Sequence, residues 1–266
     1  MSVNIYTAKY NQKAFADSVT DSETGTDKNN LFDQNMNTYW QADNNTGTKE
    51  IVIDTGVTTI SVNRLALWIP NYASCALGMD FTLYQSTDKV NWGSNIGTWA
   101  FSPGSGVNMG DGALVVFTEL AAAATNRYLK IAISDIATVP KISQILLLTK
   151  RELSYGAEYP ITDTPSYPVV RTEMQDGRDI VKLLGQNPVT NKYRSFRLIN
   201  STMKTAFDNV IADLLGGANL FVYNAAFGVF TLCMLTGYNC EETAYQFYDA
   251  TLEFKSVPYI TEGEYF

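Results

Sequence analysis

The sequence predicts a mainly β protein in two parts: an N-terminal jelly-roll-like β-sandwich, then a C-terminal α+β domain whose sheet packs against one helix. Three observations lead to this prediction. Short stretches of alternating apolar and polar residues run through the first half, which is the pattern of half-buried strands. The second half combines strand-like stretches with one clear amphipathic helix. A segment rich in proline and tyrosine separates the two halves.

The strand candidates of the first half are short and are separated by turns. The apolar residues that alternate along them are Ile51, Ile53, Val62, Leu65, Leu67, Ile69, Phe81 and Leu83. Further candidates are Leu114–Phe117, Tyr128–Ile133 and Ile142–Thr149. The polar stretch Ser86–Trp92 predicts a hairpin turn, and Trp92 at its end is expected to pack on the core. Many short strands with little helix predict a β-sandwich over residues 1–150.

Residues 151–168 differ in composition from the residues before them. Prolines fall here among tyrosines and threonines, and proline favours extended backbone. We therefore expect a connector, between a first domain at residues 1–150 and a second domain at residues 169–266. Its tyrosines are too apolar for a free tether, so the segment is expected to lie against another part of the protein.

The second half begins with a predicted hairpin. Val169–Met174 and Ile180–Leu184 are strand candidates, and the Asp-Gly step in Gln175–Gly177 suits a tight turn between them. Other strand candidates are Tyr193–Ile199, Leu220–Tyr223, Phe227–Leu235 and Tyr245–Phe254. Together with the helix, these strands predict a sheet with one packed helix.

That helix is predicted over Ser201–Leu215. Ser201 and Asn200 are both good N-cap residues, and Gly216-Gly217 ends the helix. Its apolar residues recur at helical spacing and are Met203, Ala206, Phe207, Val210, Ile211, Leu214 and Leu215. The strand residues expected to cover this face are Phe221, Tyr223, Phe230, Leu252 and Phe254.

Composition argues against several classes of function. Charged residues make up 17% of the chain and the formal net charge is −8. This balance argues against binding to a nucleic-acid backbone or to an anionic membrane surface. The sequence contains no run of roughly 18 apolar residues that could span a membrane. The N-terminal residues lack the apolar region of a signal peptide, so we expect folding in a cytoplasm and no membrane insertion.

Residues common in catalytic sites are missing or scattered. The chain has no histidine, which excludes Ser-His-Asp and Cys-His catalysis and histidine-ligated zinc. Cys75, Cys233 and Cys240 are too dispersed for a disulfide framework or a zinc site. Carboxylate catalysis stays open in principle, but no paired-carboxylate motif is present. We expect no enzymatic activity.

The stretch Leu31–Asp43 places an Asp in a tight polar loop, followed by a Thr and a Trp. Asp33 can accept backbone N–H groups and fix the turn, and Thr38 can cap it. Trp40 would anchor the loop to a core. The loop oxygens are also of the mixed type that suits calcium. From the residues alone, a pinned turn and a cation site are both open.

Six stretches follow one another within roughly the first 150 residues: FDQNMNTYWQAD, KEIVIDTG, NRLALWIPN, FTLYQSTDKVNW, NRYLKIAIS and ISQILLLTK. This series resembles the discoidin domain, also called the F5/8 type C or galactose-binding-like domain. The shared features are an Asp loop ending in Thr-x-Trp, a strand followed by Asp-x-Gly, and a Ser-x-Asp-x-x-x-Trp hairpin. A strand with an Arg-Tyr-hydrophobic pattern and a last hydrophobic strand complete the resemblance.

The resemblance implies two kinds of site. In calcium-containing members, the Asp loop and the last strand share a cation. The ligands implied here are the carbonyl of Phe32 and oxygens of Asp33, Asn35, Asn37 and Thr38. Neutral Gln144 stands where the family often has an acidic residue, and fewer ligand charges weaken calcium binding.

Family members bind ligands on loops at the opposite end of the sandwich. The residues implied here for a glycan site are Trp68, Asn71 and Tyr72, with Trp99 and Asn108 beside them. Aromatic rings there would stack on sugar faces, and the amide would bond hydroxyls. The alternative is that Trp68 belongs to the core and Tyr72 covers it.

The stretch from Val169 to Pro258 resembles the C-terminal region of minor and distal tail proteins of tailed phages. It contains Tyr-x-Ser-Phe-Arg-Leu, a Thr-Met-Lys-x-Ala-Phe helix and a closing Tyr-Asp-Ala-Thr-Leu-Glu-Phe strand. The resemblance implies a structural virion protein of the tail tip, baseplate or adaptor region, assembled in the host cytoplasm. Its partners would be copies of itself, which form an oligomer, and other tail proteins. The second hypothesis is a non-catalytic carbohydrate-binding protein whose partner is a host-surface glycan.

Overall fold

The computed structural model describes residues 3–20, 26–33, 35, 37–71, 79–101, 113–134, 139, 141–153, 158–166, 169–173, 179–183, 189–198, 200–214, 220–224, 230–245 and 247–256. These residues form 18 strands, one α-helix and a short 3-10 helix, so the protein is mainly β. The chain divides into two compact units. Residues 6–150 form the sandwich unit, and residues 1–5 with 151–266 form the helix unit.

The strands up to residue 153 are β1 (Val3–Thr7), β2 (Phe15–Val19), β3 (Trp40–Gln41), β4 (Lys49–Val62), β5 (Arg64–Ile69), β6 (Met79–Ser86), β7 (Gly97–Phe101), β8 (Ala113–Val116), β9 (Ala124–Ser134), β10 (Lys141–Ile142) and β11 (Gln144–Leu153). The 3-10 helix is Lys28–Leu31. One sheet of the sandwich unit has the order β2-β4-β9-β6-β7, and in the other β5 lies between β8 and β11. These pairs are antiparallel. The predicted β-sandwich is confirmed.

A single hydrophobic core fills the space between the two sheets. Ile53 of β4, Phe81 of β6 and Ile131 of β9 face Leu67 of β5 across this core, and each is at most 1% exposed. Burial of such a side chain contributes about 1.5–3 kcal/mol. Trp40 is fully buried in the same core, so it anchors the end of the Asp33 loop as the sequence predicts.

The outward positions of β4, β6 and β9 carry polar and aromatic side chains. The register pairs Lys130 of β9 with Tyr84 of β6, and Tyr128 of β9 with Asp54 of β4. Successive residues of a strand point to opposite faces. Because Leu129 and Ile131 belong to the core, Tyr128 and Lys130 belong to the face directed away from it.

Gly56, the glycine of the Asp-x-Gly stretch, is required by its backbone. Its φ is +68°, in the left-handed region that favours glycine. A Cβ there would lie 2.9 Å from the carbonyl oxygen of Lys13. The N–H of Gly56 donates to Asp54 Oδ1 at 2.8 Å, so the turn orients the carboxylate of Asp54.

The remaining elements are β12 (Glu158–Ser166), β13 (Val169–Glu173), β14 (Asp179–Leu183), β15 (Val189–Leu198), α1 (Ser201–Leu214), β16 (Leu220–Asn224), β17 (Phe230–Ala244) and β18 (Phe247–Ser256). Five of these strands follow one another in the order β12-β15-β18-β17-β16, all antiparallel. β13 and β14 form the predicted hairpin as a separate two-stranded sheet. The segment for which the sequence predicts a connector contributes β12 to the larger sheet.

Helix α1 packs against this sheet, and Leu252 and Phe254 cover it as the sequence predicts. The side chains of Phe221, Tyr223 and Phe230, predicted for the same cover, lie outside the described part of the chain. Phe207 is fully buried in one cluster with Phe196, Leu252 and Phe254. Asn200 is the residue that caps the helix, because its Oδ1 accepts the N–H of Met203 at 3.0 Å. No described helix is long and apolar enough to cross a membrane.

Strand β17 is longer than the sequence predicts. Apolar alternation indicates an end at Leu235, but the strand continues to Ala244. From Thr236 onward its residues are exposed or half-buried. Backbone pairing with β18 holds this part of the strand. Such pairing does not depend on apolar side chains, so the spacing of apolar residues in the sequence does not predict it.

Candidate functional site

The loop predicted to hold a cation is closed by hydrogen bonds among its own residues. Asp33 Oδ1 accepts the backbone N–H of Asn35 at 2.8 Å, and Asp33 Oδ2 accepts the Thr38 hydroxyl at 2.5 Å. Asn35 Oδ1 accepts the backbone N–H and the Nδ2 of Asn37, both at 3.1 Å. Phe32 caps the 3-10 helix that precedes the loop. The described residues of the loop form a pinned turn, in which the side chains of Asp33, Asn35, Asn37 and Thr38 are hydrogen-bonded.

Gln144 on β11 lies beside this loop. Its Nε2 donates to the Leu31 carbonyl at 3.1 Å, while its Oε1 is buried without a hydrogen-bond partner among the described residues. Asp33, the one carboxylate among the predicted ligands, is exposed. In the described ranges, no three His, Cys, Asp or Glu side chains gather as metal ligands. These residues fit a hydrogen-bonded turn better than a calcium site, so of the two alternatives left open by the sequence we expect the pinned turn.

Replacement of Asp33 by alanine tests the role of the loop. Asp33→Ala removes the acceptor of two hydrogen bonds at an exposed turn, so we expect the free energy of unfolding to fall by about 1 kcal/mol. Urea denaturation of both proteins measures the change. We also expect calcium and a chelator to leave the wild-type Tm unchanged. A rise in Tm with calcium that Asp33→Ala abolishes would show instead that the loop binds the ion.

The residues predicted for a glycan site are held by the fold. Trp68 on β5 is 3% exposed, so its ring cannot stack on a sugar, and the alternative of a buried Trp68 applies. Asn71 Nδ2 donates to the Val139 carbonyl at 3.2 Å, and its Oδ1 accepts the N–H of Lys141 at 2.8 Å. Asn71 therefore joins two loop segments. Tyr72 lies outside the described residues.

Trp99 and Asn108 were the other residues implied for this site. The ring of Trp99 stacks on Phe117 with 4.8 Å between centroids. Its Nε1 donates to the Thr118 hydroxyl at 2.9 Å. These contacts hold Trp99 against the sandwich. Asn108 lies outside the described residues.

The outward face of the five-stranded sheet carries a different arrangement. Lys130 Nζ lies 5.0 Å from the ring centroid of Tyr84, 5.2 Å from that of Trp92 and 2.9 Å from Glu50 Oε1. The side chain of Lys130 is 15% exposed and that of Glu50 is 43% exposed. Each cation–ring contact contributes about 0.5–1 kcal/mol at an exposed site. We call Glu50, Tyr84, Trp92 and Lys130 the lysine clasp.

A further aromatic ring, that of Tyr128, lies on the same strand as Lys130. Lys89 Nζ and Arg127 Cζ are 4.8 and 5.1 Å from its ring centroid. Lys89 also bonds Asp17 Oδ1 at 2.8 Å. Two residues along a strand span about 7 Å. The aromatic surface therefore continues along the sheet beyond the lysine clasp.

The loop that carries Trp92 is ordered by Asp88. Asp88 Oδ1 accepts the backbone N–H groups of Val90 and Asn91 at 2.9 Å each, and Oδ2 accepts Asn91 Nδ2 at 2.7 Å. Hydrogen bonds from the backbone of Asn91 and Val90 hold the pKa of the Asp88 carboxyl well below its usual range. Lys89 has φ 65°, an uncommon backbone conformation outside glycine. The loop is thus ordered before any ligand binds.

Asp54 of β4 lies on the same face. It is 3% exposed, and it binds Arg127 through two hydrogen bonds, Nε to Oδ1 at 2.8 Å and Nη2 to Oδ2 at 2.9 Å. Burial raises the pKa of Asp54, but the hydrogen bonds from Arg127 and Gly56 outweigh it, and the pKa lies below its ordinary value. The same hydrogen bond raises the pKa of Arg127. Both groups stay ionised at neutral pH.

The Asp54–Arg127 pair should make stability depend on acid pH. The lowered folded-state pKa means that the stabilisation is complete above the ordinary Asp pKa of about 4 and is lost as the pH falls through the folded value. We expect the free energy of unfolding to fall more steeply for the wild type than for Asp54→Asn between about pH 5 and pH 2. Urea denaturation across this range measures both slopes. Parallel curves would mean that the pair adds no pH-dependent stability.

The sequence did not reveal the lysine clasp because its residues come from separate parts of the chain. Trp92, expected to pack on the core, lies against Lys130 on the outward face. Tyr84 and Lys130 alternate with the apolar residues of their strands. This alternation is the sequence signal that places both on the outward face. The strand register that brings them together is a property of the fold.

No protein-family model and no curated protein matches this chain. Among solved structures, it is similar to the C-terminal domain of a chitobiase from Bacteroides fragilis, with 21% identity and a TM-score of 0.43, over 53% of this chain and 95% of that one. The family 32 carbohydrate-binding module of C. perfringens NanJ, in complex with galactose, has 11% identity and a TM-score of 0.44, over 54% and 98%. A chitosan-binding module from a chitosanase/glucanase of Paenibacillus sp. IK-5 has 16% identity and a TM-score of 0.39, over 53% and 96%. The likeness to each of these structures covers about half of this chain. The comparisons do not support the resemblance to phage tail proteins.

Proposed function

We propose that this chain is a non-catalytic carbohydrate-binding protein, and that the outward face of its five-stranded sheet is the binding surface. The lysine clasp is the observation that carries the proposal, because Lys130 holds the rings of Tyr84 and Trp92 at 5.0 and 5.2 Å from its Nζ. Neither ring belongs to the core, and both are partly exposed.

Sugars need two kinds of contact from a protein. Their C–H faces pack on flat apolar surfaces, and their hydroxyls need donors and acceptors close by. Tyr84 and Trp92 supply the first kind. Lys130 has three N–H donors and the Glu50 carboxylate accepts at several sites, so both keep hydrogen-bonding capacity beyond their own bond of 2.9 Å.

The order of this surface favours binding. Trp92 is presented by a loop that Asp88 holds through bonds to Val90 and Asn91. Lys130 Nζ lies over the same ring, 5.2 Å from its centroid. A surface ordered in advance loses less conformational entropy when a ligand binds, which suits the shallow contacts that a sheet face offers to a sugar.

Two observations support a role without catalysis. Each of the two carboxylates forms an ion pair: Glu50 with Lys130, and Asp54 with Arg127. A general acid at neutral pH needs a raised pKa, whereas the pKa of Asp54 is lowered by its hydrogen bonds. The sequence also has no histidine to act as an acid or base.

Replacement of Trp92 tests the proposal. We expect Trp92→Ala to weaken binding to soluble neutral polysaccharides by about tenfold or more, since about 1.4 kcal/mol of lost stacking corresponds to tenfold in Kd. Calorimetry with dextran, galactan and a β-1,3-glucan measures the affinities. Tyr238→Ala is the matched control, because Tyr238 is an aromatic residue of the helix unit that is 55% exposed. Failure of the wild type to bind any of them, or equal binding by Trp92→Ala, would refute the proposal.

A structural role in a tailed-phage or phage-like virion is our second proposal. It is favoured by exposed aromatic residues on the helix unit, namely Tyr193, Tyr238, Tyr245 and Phe247, which are 40%, 55%, 84% and 43% exposed. Such side chains are enriched at protein interfaces. We expect size-exclusion chromatography with light scattering to show a stable oligomer if the unit assembles with copies of itself. A monomer at high concentration would count against self-assembly.

A further inference from the structure

The charges around the lysine clasp and Tyr128 are matched one to one. Lys130 bonds Glu50 at 2.9 Å, Lys89 bonds Asp17 at 2.8 Å, and Arg127 bonds Asp54 at 2.8 Å. Each of these cations also lies over an aromatic ring. The rim adds Lys28, which donates to the Asp17 carbonyl, and Asp88, which bonds its own loop. These eight charges sum to zero, and Asp80, four residues before Tyr84 at an outward position of β6, adds one negative charge. The chain as a whole has a formal net charge of −8.

This balance affects which ligands the lysine clasp can accept. A carboxylate or sulfate on a sugar would have to compete with Glu50 for Lys130, and it would lie beside the negative charge of Glu50. An ammonium group on a sugar would lie beside the positive charge of Lys130. Each case adds an unmatched charge where both existing charges have a partner, and like charges at short range repel.

An uncharged sugar avoids that cost. Its hydroxyls can accept the remaining N–H groups of Lys130 and donate to Glu50, whose side chain is 43% exposed. The ion pair of 2.9 Å then stays intact. Its C–H face meets the rings of Tyr84 and Trp92, and these contacts are unaffected by salt.

We infer that this face selects uncharged oligosaccharides and that Glu50 sets the selectivity by neutralising Lys130. The inference rests on the proposed carbohydrate-binding function. Glu50 acts as a specificity-determining residue, since its removal leaves Lys130 as an uncompensated cation beside the rings of Tyr84 and Trp92. The face then gains a positive charge and attracts anionic glycans.

The test uses matched pairs of ligands and matched variants of the full chain. Dextran, galactan and a β-1,3-glucan are each prepared in neutral and carboxymethylated form. The proteins are the wild type, Glu50→Gln and the control Glu119→Gln. Glu119 pairs with Lys150 at 3.2 Å and is 32% exposed, so its substitution changes the net charge equally without touching the lysine clasp. Circular dichroism and Tm verify that each variant is folded.

For the wild type, we expect at least tenfold tighter binding of the neutral form than of its carboxymethylated form. Its affinity for the neutral form should change less than twofold between low and high salt. For Glu50→Gln, the ratio should fall at least tenfold, and the gained binding of the carboxymethylated form should weaken with salt. Glu119→Gln should keep the wild-type ratio.

Wild-type binding of both forms within twofold, or an unchanged ratio in Glu50→Gln, would overturn the inference and leave the carbohydrate-binding function standing. A ratio that falls equally in Glu119→Gln would also overturn it, because net charge alone would then explain the effect. Absence of binding to every neutral polymer would refute the proposed function and the inference together.

Discussion

The two-residue alternation along β4, β6 and β9 determines both faces of the five-stranded sheet at once. Inward residues such as Ile53, Leu83 and Ile131 are buried between the sheets. The outward residues between them are brought together by the same register, which pairs Tyr84 with Lys130. A slip of one residue would bury Lys130 and expose the core. Burial of the inward apolar residues therefore maintains the geometry of the outward polar and aromatic residues.

Two ion pairs on this face have different physical roles. The Asp54 side chain is 4% exposed, and its bond to Arg127 has two-point geometry. The side chain of Arg127 is 39% exposed, so its removal would leave the buried Asp54 carboxylate without its cation, which destabilises the folded state. In the second pair, Lys130 with Glu50, the Glu50 side chain itself is 43% exposed, and such a pair contributes roughly 0–1 kcal/mol. The first pair stabilises the sheet, whereas the second is free to exchange hydrogen bonds with a ligand.

Features that burial imposes are predictable from this sequence, and features that depend on register are not. Apolar spacing is enough to place the helix around Phe207 and the inward face of β4. The sequence also puts Trp40 in the core. At Asp33, backbone-fixing turns and calcium loops use the same residue types, so composition alone cannot separate them. The position of Trp92 depends on Lys130, which is far away in the chain and adjacent only in the folded sheet.

The outer part of the β17–β18 hairpin has consequences for native-state dynamics. Its residues from Glu241 to Ala244 and the paired Phe247–Asp249 are exposed or half-buried, whereas Leu252 and Phe254 on β18 lie in the cluster with the helix. Opening the outer part exposes little new apolar surface, so it costs less free energy than opening the inner part. Amide protons at the outer end of β17 will exchange with solvent through local fraying. Those beside Leu252 and Phe254 will exchange only when the helix unit opens as a whole.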